Sequence, residues 1–305
     1  MQIKQITTFF HGNDENGSGY NDRLYFSLLR HRTATNAAKA IIDEEIVENL
    51  NIKQLFSALK TFRIADLGCL VGPNTFIAMQ NIIAVVEHKY RSEGLDSSIP
   101  KFQVFFSDQT SNDFNILFTT LPLDRLYFVA SVPGSFHSRL FPEASLHFVY
   151  LAYALQCLSK VPKEVVDKNS PAWNKGKIHY SNAPNEVVEA YSTQFHKDIE
   201  DFLYARSQEL VSRGLLALIM PSFPNRTPLS QSFLPIHLLG SSLMDMANRG
   251  LVNEAKVDSF NLPTYFASPQ ELEGLVERNG CFSIKKIYLA DPSMKHNAQS
   301  CVRCT

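Results

Sequence analysis

Asp66, Gly68 and Gly72 stand close together in the stretch FRIADLGCLVGPNTF, and a carboxylate followed by spaced glycines can hold a ligand. A glycine turn after a strand lets backbone N–H groups approach a ligand, and the N-terminus of the next helix favours an acidic or electron-rich group. The spacing is not the three-glycine dinucleotide fingerprint, and no Gly-Lys-Ser/Thr follows as a phosphate loop requires. An adenosyl ligand without phosphates therefore fits better than NAD or ATP, the bland alternative being an ordinary strand-to-helix turn. Asp108 lies at the end of the apolar run KFQVFF, where a carboxylate can accept from both hydroxyls of a ribose or merely cap the next turn. Ser135 and Phe136 follow the run LYFVASV, at the strand-end edge where open α/β sheets bind ligands. Tyr153, Gln156 and Cys157 sit at i, i+3 and i, i+4 of a segment read as a helix, a spacing that suits core packing more often than binding.

The elements that must position these residues alternate. Phe62 to Gly68 reads as a buried strand, Cys69 to Gly72 as a tight loop and Pro73 onward as a helix start, with apolar spacing over Asn74 to Tyr90. Lys101 to Phe106 and Leu126 to Val132 read as further strands, and LHFVYLAYALQCLS as a helix capped by Ser145. Residues 1–30 read as polar and irregular, and Thr35 to Leu50 as a helix packing on the sheet. The segment VPKEVVDKNSPAWNKGKIHYSNA reads as a surface insertion. Pro184 opens a long helix, Asn185 to Ser212, stopped by Gly214; Leu215 to Met220 is a central strand. From Pro221 to Pro263 the chain reads as a cap with a helix around Leu238 to Met246, before a helix over 269–279 and a strand, Phe282 to Ala290. This order predicts an α/β, Rossmann-like, mostly parallel doubly wound sheet with a mostly helical cap. The expected divisions are 1–160 for the cofactor-binding core with an N-terminal lid, 161–182 an insertion, 183–221 core, 222–266 cap and 267–305 core.

At 305 residues, 45% hydrophobic and with a formal charge of −1, the chain has ample core and no basic run, which argues against nucleic acid or an anionic membrane as partner. No apolar run approaches a membrane span and no signal-peptide core is present, so a cytosolic protein is expected. Five scattered cysteines fit free thiols in a reducing compartment, and the terminal Cys301-Cys304 pair lacks the partners of a zinc site.

Taken jointly, ADLGCLVGPNTF, VFFSDQTSNDFN, VPGSFHSRLFP, LSKVPKE, NKGKIHY and DSFNLPTY resemble, in order and spacing, the plant SABATH methyltransferases, from about Tyr20 onward. The likeness is greatest to members that methylate carboxylic acids such as loganic, salicylic or jasmonic acid; the caffeine-pathway N-methyltransferases are relatives. The resemblance implies S-adenosylmethionine as cofactor, a small carboxylic acid as substrate and a homodimer. It implies cofactor contacts from Tyr20, Cys69, Asn74, Asp108, Gln109, Ser135 and Phe136, with Asp108 on the ribose and Ser135 and Phe136 at the adenine end. It also implies a magnesium site at Asn174, Asp258, Phe260 and Asn261, an oxygen set of the kind magnesium prefers. No side chain is given a catalytic role, because a carboxylate is already ionised and the sulfonium already electrophilic.

The chain departs from the family where the acceptor is oriented. Gln156-Cys157 replaces the usual His-Trp or Gln-Trp, and a thiol is a weaker donor than an indole N–H. The family's substrate-binding Gln falls near His31, either a substitute ligand or a solvent-facing side chain. Leu70-Val71 stands where relatives carry small hydroxyl residues near the methionine end, and each hydrogen bond lost to a charged group weakens binding by roughly 1.5–3 kcal/mol. The sequence ends at Thr305, before the closing strand of relatives, so an unpaired edge or gap is expected in the sheet. The readings left open are a carboxyl methyltransferase, an impaired paralogue that binds cofactor or a partner subunit, and a purine N-methyltransferase.

Overall fold

The computed structural model describes residues 4–12, 38–52, 60–222 and 233–290. The elements in chain order are β1 (Lys4–Gly12), helix α1 (38–49), β2 (Thr61–Leu67), α2 (Pro73–Ser92), β3 (Lys101–Asp108), α3 (Phe114–Thr119), β4 (Tyr127–Pro133) and β5 (Leu146–Ala152). They continue with α4 (Asn185–Glu209), β6 (Leu210–Ser222), α5 (Leu234–Asn248), α6 (Glu254–Ser259), α7 (Pro269–Asn279) and β7 (Phe282–Ala290). The strands form one seven-stranded sheet in the order β4-β3-β2-β5-β6-β1-β7, with every pairing parallel. Helices cover both faces. Tyr191, Phe195, Ile199 and Phe202 of α4 pack with Leu272 and Leu275 of α7 on one side, and Phe76, Met79, Ile82 and Val86 of α2 pack with Ile42 and Ile46 of α1 on the other. Among the described residues, no helix is long and apolar enough to cross a membrane.

Several expectations are corrected. The helix expected after Ser145 is strand β5, buried along almost its whole length. An apolar run covered on both faces carries no periodicity that separates strand from helix, and here the aromatic and β-branched content of LHFVYLA decides. Ser145 caps nothing: its hydroxyl donates to Pro142 O at 2.8 Å, in the turn before the strand. The irregular reading of residues 1–30 fails over 4–12. There β1 pairs with β6 from Gln5↔Leu215 to Gly12↔Ser222 and with β7 from Lys4↔Phe282 to His11↔Ala290. Its buried threonines obscured it in sequence, and Thr7 Oγ1 is satisfied by donating to Glu45 Oε2 of α1 at 3.0 Å. Because β1 lies between β6 and β7, the gap expected in the sheet does not arise there. Helix α4 ends at Glu209 and leads directly into β6, so Gly214 lies within a strand; a Cβ there would come within 2.9 Å of Leu210 Cδ2. The segment 161–182 is not wholly on the surface: Val165, Asn174, Ile178 and His179 are buried, while residues 163–164 and 166–169 are exposed.

Candidate functional site

The C-terminal ends of β2, β3, β4 and β5 converge on one edge of the sheet, and the predicted ligand-holding residues lie there. Gly68 ends β2 with φ +76°, and a Cβ on it would meet Ala154 Cβ at 2.5 Å. Left-handed backbone and close approach both demand glycine at this position. The same contact joins the β2 turn to the loop after β5. Gly72, the N-cap of α2, has no atom of the described residues within 4 Å of an added Cβ, so its missing side chain relieves no clash among them. Asn74 follows Pro73 in the first turn of α2, half-buried.

Asp108 ties the loops together. Its Oδ2 accepts from Leu70 N at 2.8 Å, its Oδ1 from Gln109 N at 2.7 Å, and its carbonyl from Gly134 N at 2.8 Å. A carboxylate has about four lone-pair sites, so capacity remains for a diol. The alternative reading of Asp108 as a turn cap is thus partly correct, and it does not compete with ligand binding. Gln109 is exposed beside it. Leu70 is held in place by Asp108 and by Asn112 Nδ2, which donates to its carbonyl at 3.2 Å. Its φ is +53° and its side chain is two-thirds exposed.

Asp66 is buried beneath the turn, where burial raises its carboxyl to about 7; the Thr75 hydroxyl, which donates to it, works against this rise, and the Asp108 charge adds to it. Cys69 is also buried, and burial together with Asp66 and Asp108 pushes its thiol far up, so the loop carries a neutral sulfur. Ser135 is exposed, whereas Phe136 is a core residue whose ring lies edge-on to Phe202 at 6.2 Å. Only the main chain of Phe136, not its ring face, is left for a ligand at the adenine end.

Tyr153, Gln156 and Cys157 are brought together, but not on a helix. They occupy the loop after β5, where Tyr153 has φ +55°, Tyr153 N donates to Ile219 O at 2.8 Å and Cys157 N donates to Ala154 O at 2.9 Å. Gln156 Nε2 donates to Tyr153 O at 2.7 Å, which leaves one of its N–H bonds for an acceptor, while Gln156 Oε1 is buried with no partner among the described residues. The loop is joined to the segment NLPTY by Tyr265 N donating to Gln156 O, Leu158 N donating to Pro263 O, and an antiparallel bridge between Cys157 and Thr264. Burial raises the Cys157 thiol, so it stays neutral and does not repel an anionic acceptor.

The four residues read as a metal set are also partly assembled. Asn174, Asp258 and Asn261 are buried and Phe260 is exposed. Asn174 Nδ2 donates to Asn261 Oδ1 at 2.7 Å and Asp258 Oδ1 accepts from Gly176 N at 2.9 Å, while Asn174 Oδ1 has no partner among the described residues. A buried, unpartnered amide oxygen suits a hard, oxygen-ligated cation, whereas Asn261 Nδ2, also unpartnered among the described residues, is a donor. Tyr20 and His31 lie outside the described residues. Sequence reasoning missed Thr75, Asn112 and Ala154, which bind or touch the turn through the fold. A small side chain nine residues from Asp66 gives no local signal of such contact.

Comparison with known proteins identifies the family. The family described as SAM dependent carboxyl methyltransferase matches residues 13–303. Loganic acid O-methyltransferase of Catharanthus roseus is 49% identical over 266 residues, covering 86% of this chain and 71% of that protein. Farnesoic acid carboxyl-O-methyltransferase of Arabidopsis thaliana is 45% identical, covering 82% and 71%. The solved structure of loganic acid methyltransferase with SAH superposes with a TM-score of 0.78 at 49% identity, covering 82% of this chain and 72% of that one. On the family match and the identity to these relatives, the chain belongs to the family of S-adenosylmethionine-dependent carboxyl methyltransferases.

Proposed function

We propose that this chain transfers the methyl group of S-adenosylmethionine to the carboxylate of a small plant acid, giving a methyl ester and S-adenosylhomocysteine. The observation that carries the reading is the contact between Gly68 and Ala154, which sets the cofactor turn directly against the acceptor loop. A carboxylate oxygen attacks the methyl carbon as the carbon–sulfur bond breaks, and the sulfur leaves with the electron pair as a neutral thioether. No proton moves, so no general base is needed. Catalysis is alignment of oxygen, carbon and sulfur, which can contribute on the order of 7–11 kcal/mol. Asp108 holds the ribose, the turn at Cys69 with Asn74 faces the methionine end, Gln109, Ser135 and the Phe136 main chain border the adenine, and the second amide N–H of Gln156 orients the acceptor beside Tyr153. Asn174, Asp258, the Phe260 carbonyl and Asn261 would hold a magnesium ion, which would offset the Asp258 charge there; these residues brace the segment that backs the acceptor loop. We further propose a cytosolic homodimer.

The test is a methyl-transfer screen of the chain against a panel of small plant acids, with xanthines included. Ester formation from one acid class and none from xanthines is expected; turnover of xanthines alone would overturn the carboxyl assignment. One observation favours a second reading, an impaired enzyme that still binds cofactor: Gln156 has one amide N–H committed to Tyr153 O and its neighbour is a thiol. Under that reading Cys157→Trp raises the rate of transfer by an order of magnitude or more, whereas an enzyme adapted to Cys157 gains nothing.

A further inference from the structure

Arg206 and Glu209, near the end of α4, are both 0% exposed. Arg206 Nε donates to Glu209 Oε2 at 2.7 Å, Nη2 lies equally close to the same oxygen, and both side chains also reach a single loop. Arg206 Nη1 donates to Phe136 O at 2.7 Å and Nη2 to Ser138 O at 3.0 Å; Glu209 Oε1 accepts from Leu140 N and from Phe141 N, the latter at 2.9 Å. Four main-chain groups of residues 136–141 are therefore held by two side chains from one helix. His137 adds a second attachment, with Nδ1 3.4 Å from Asp198 O and Nε2 3.2 Å from Cys157 O. Gly134 N, at the start of the loop, donates to the carbonyl of Asp108.

A buried ion pair contributes little net stability compared with apolar side chains of the same volume, which makes the reach of both side chains to one loop informative. A loop fixed before the ligand arrives spares binding the entropy of ordering it. We propose that Arg206, braced by Glu209, is a positioning residue that presets the 135–141 loop for the adenine end of the cofactor. The proposal rests on the cofactor reading of Ser135, Phe136 and Asp108.

The unaltered chain is first titrated calorimetrically with S-adenosylhomocysteine. If it does not bind, the cofactor reading itself fails and the proposal falls with it. If it binds, Arg206→Lys tests the proposal, because lysine keeps the charge beside Glu209 but lacks the planar fork that reaches two carbonyls. The Kd for S-adenosylhomocysteine and the KM for S-adenosylmethionine are expected to rise about tenfold, with kcat at saturating cofactor and the KM for the acid within about twofold. Glu209→Gln keeps an oxygen for Leu140 and Phe141 N–H and is expected to give a smaller rise, about threefold, in the same two quantities. If Arg206→Lys does not fold, Glu209→Gln decides by the same split; without measurable turnover, the Kd decides, read well below Tm. An unchanged Kd in a folded variant, a loss spread equally over kcat and both KM values, or failure of both variants to fold would each overturn the positioning role.

Discussion

Leu70 carries a left-handed backbone, φ +53°, on an exposed side chain in the middle of the turn after β2. For an L residue with a full side chain this costs roughly 1–2 kcal/mol, and an exposed leucine recovers none of it by packing. Asparagine tolerates this region, so Leu70→Asn is expected to stabilise the protein by about 1 kcal/mol, raising Tm by about 1–2 °C in a scanning calorimeter. An unchanged or lower Tm would mean that the Asp108 and Asn112 bonds to Leu70 already offset the strain. Gly68 presents the opposite case. Its φ of +76° and the 2.5 Å approach to Ala154 leave no room for a methyl group. Gly68→Ala should cost about 2–3 kcal/mol or more and, in whatever fraction folds, part the turn from the acceptor loop, so that S-adenosylhomocysteine binding is lost. Wild-type affinity in that variant would refute the contact as an organising feature. The sequence marked Gly68 and Gly72 alike. Only the tertiary contact with Ala154, more than eighty residues away in the chain, distinguishes the glycine that is required from the one that is not.

Among the elements, those with a local signature were legible and those decided by tertiary cover were not. Helix α7 has Ser268 as N-cap, accepting from Glu271 N at 3.2 Å, and Gly280 in the left-handed C-cap position, both visible in the letters alone. Strand β5 was misread because an apolar run reports burial without reporting period, and the placement of Tyr153, Gln156 and Cys157 on a helix face followed from that error. The residues themselves were correctly grouped, since a short loop after a strand also brings neighbours together. Helix α4 was overextended because Gly214 looked like a stop signal; the chain instead turns at Leu210 into β6 without a break. The cap of α7 offers a test at this scale. Ser268→Ala removes one cap bond and should cost about 1 kcal/mol of stability. Glu271 also receives Tyr265 OH at 3.1 Å and Ser192 Oγ at 3.2 Å and pairs with His196 at 2.8 Å, so Glu271→Ala should cost more, about 2 kcal/mol. The Ser268 cap bond lies within α7, so Ser268→Ala should move the denaturant midpoint while S-adenosylhomocysteine affinity stays constant; Glu271 also holds Tyr265 OH, and Tyr265 N donates to Gln156 O, so Glu271→Ala also loosens the loop after β5. A change in affinity in Ser268→Ala would couple this helix to the site.

For the whole molecule, buried titratable groups on different elements set opposing responses to acid. His147 of β5 stacks on Phe62 and accepts from Arg63 N through Nδ1 at 3.0 Å; burial, aided by the Arg63 charge, lowers its pKa to about 4. His179 accepts from Ser181 N through Nδ1, and burial likewise lowers it to about 4, with a smaller opposing effect from its contact with Thr264 O. Both are neutral in the folded chain near pH 7. An unfolded histidine titrates near 6.5, so the stability each contributes is complete above about 6.5 and is lost as pH falls toward 4. Asp66 runs the other way: its folded pKa, about 7, lies above the ordinary aspartate value of 3.8, so its contribution is complete below the latter and is lost as pH rises through 7. Between about pH 6.5 and 4, the two histidines cost about two protons' worth of slope on acidification, and Asp66 returns about one. Asp66→Asn keeps an oxygen for the Thr75 hydroxyl but has nothing to titrate, so its stability should fall more steeply with acid than that of the unaltered chain. Chemical denaturation at several pH values reads this directly. Parallel profiles would mean that Asp66 ionises in the folded chain as it does in the unfolded one, and that the carboxylate under the turn after β2 is charged before any ligand arrives.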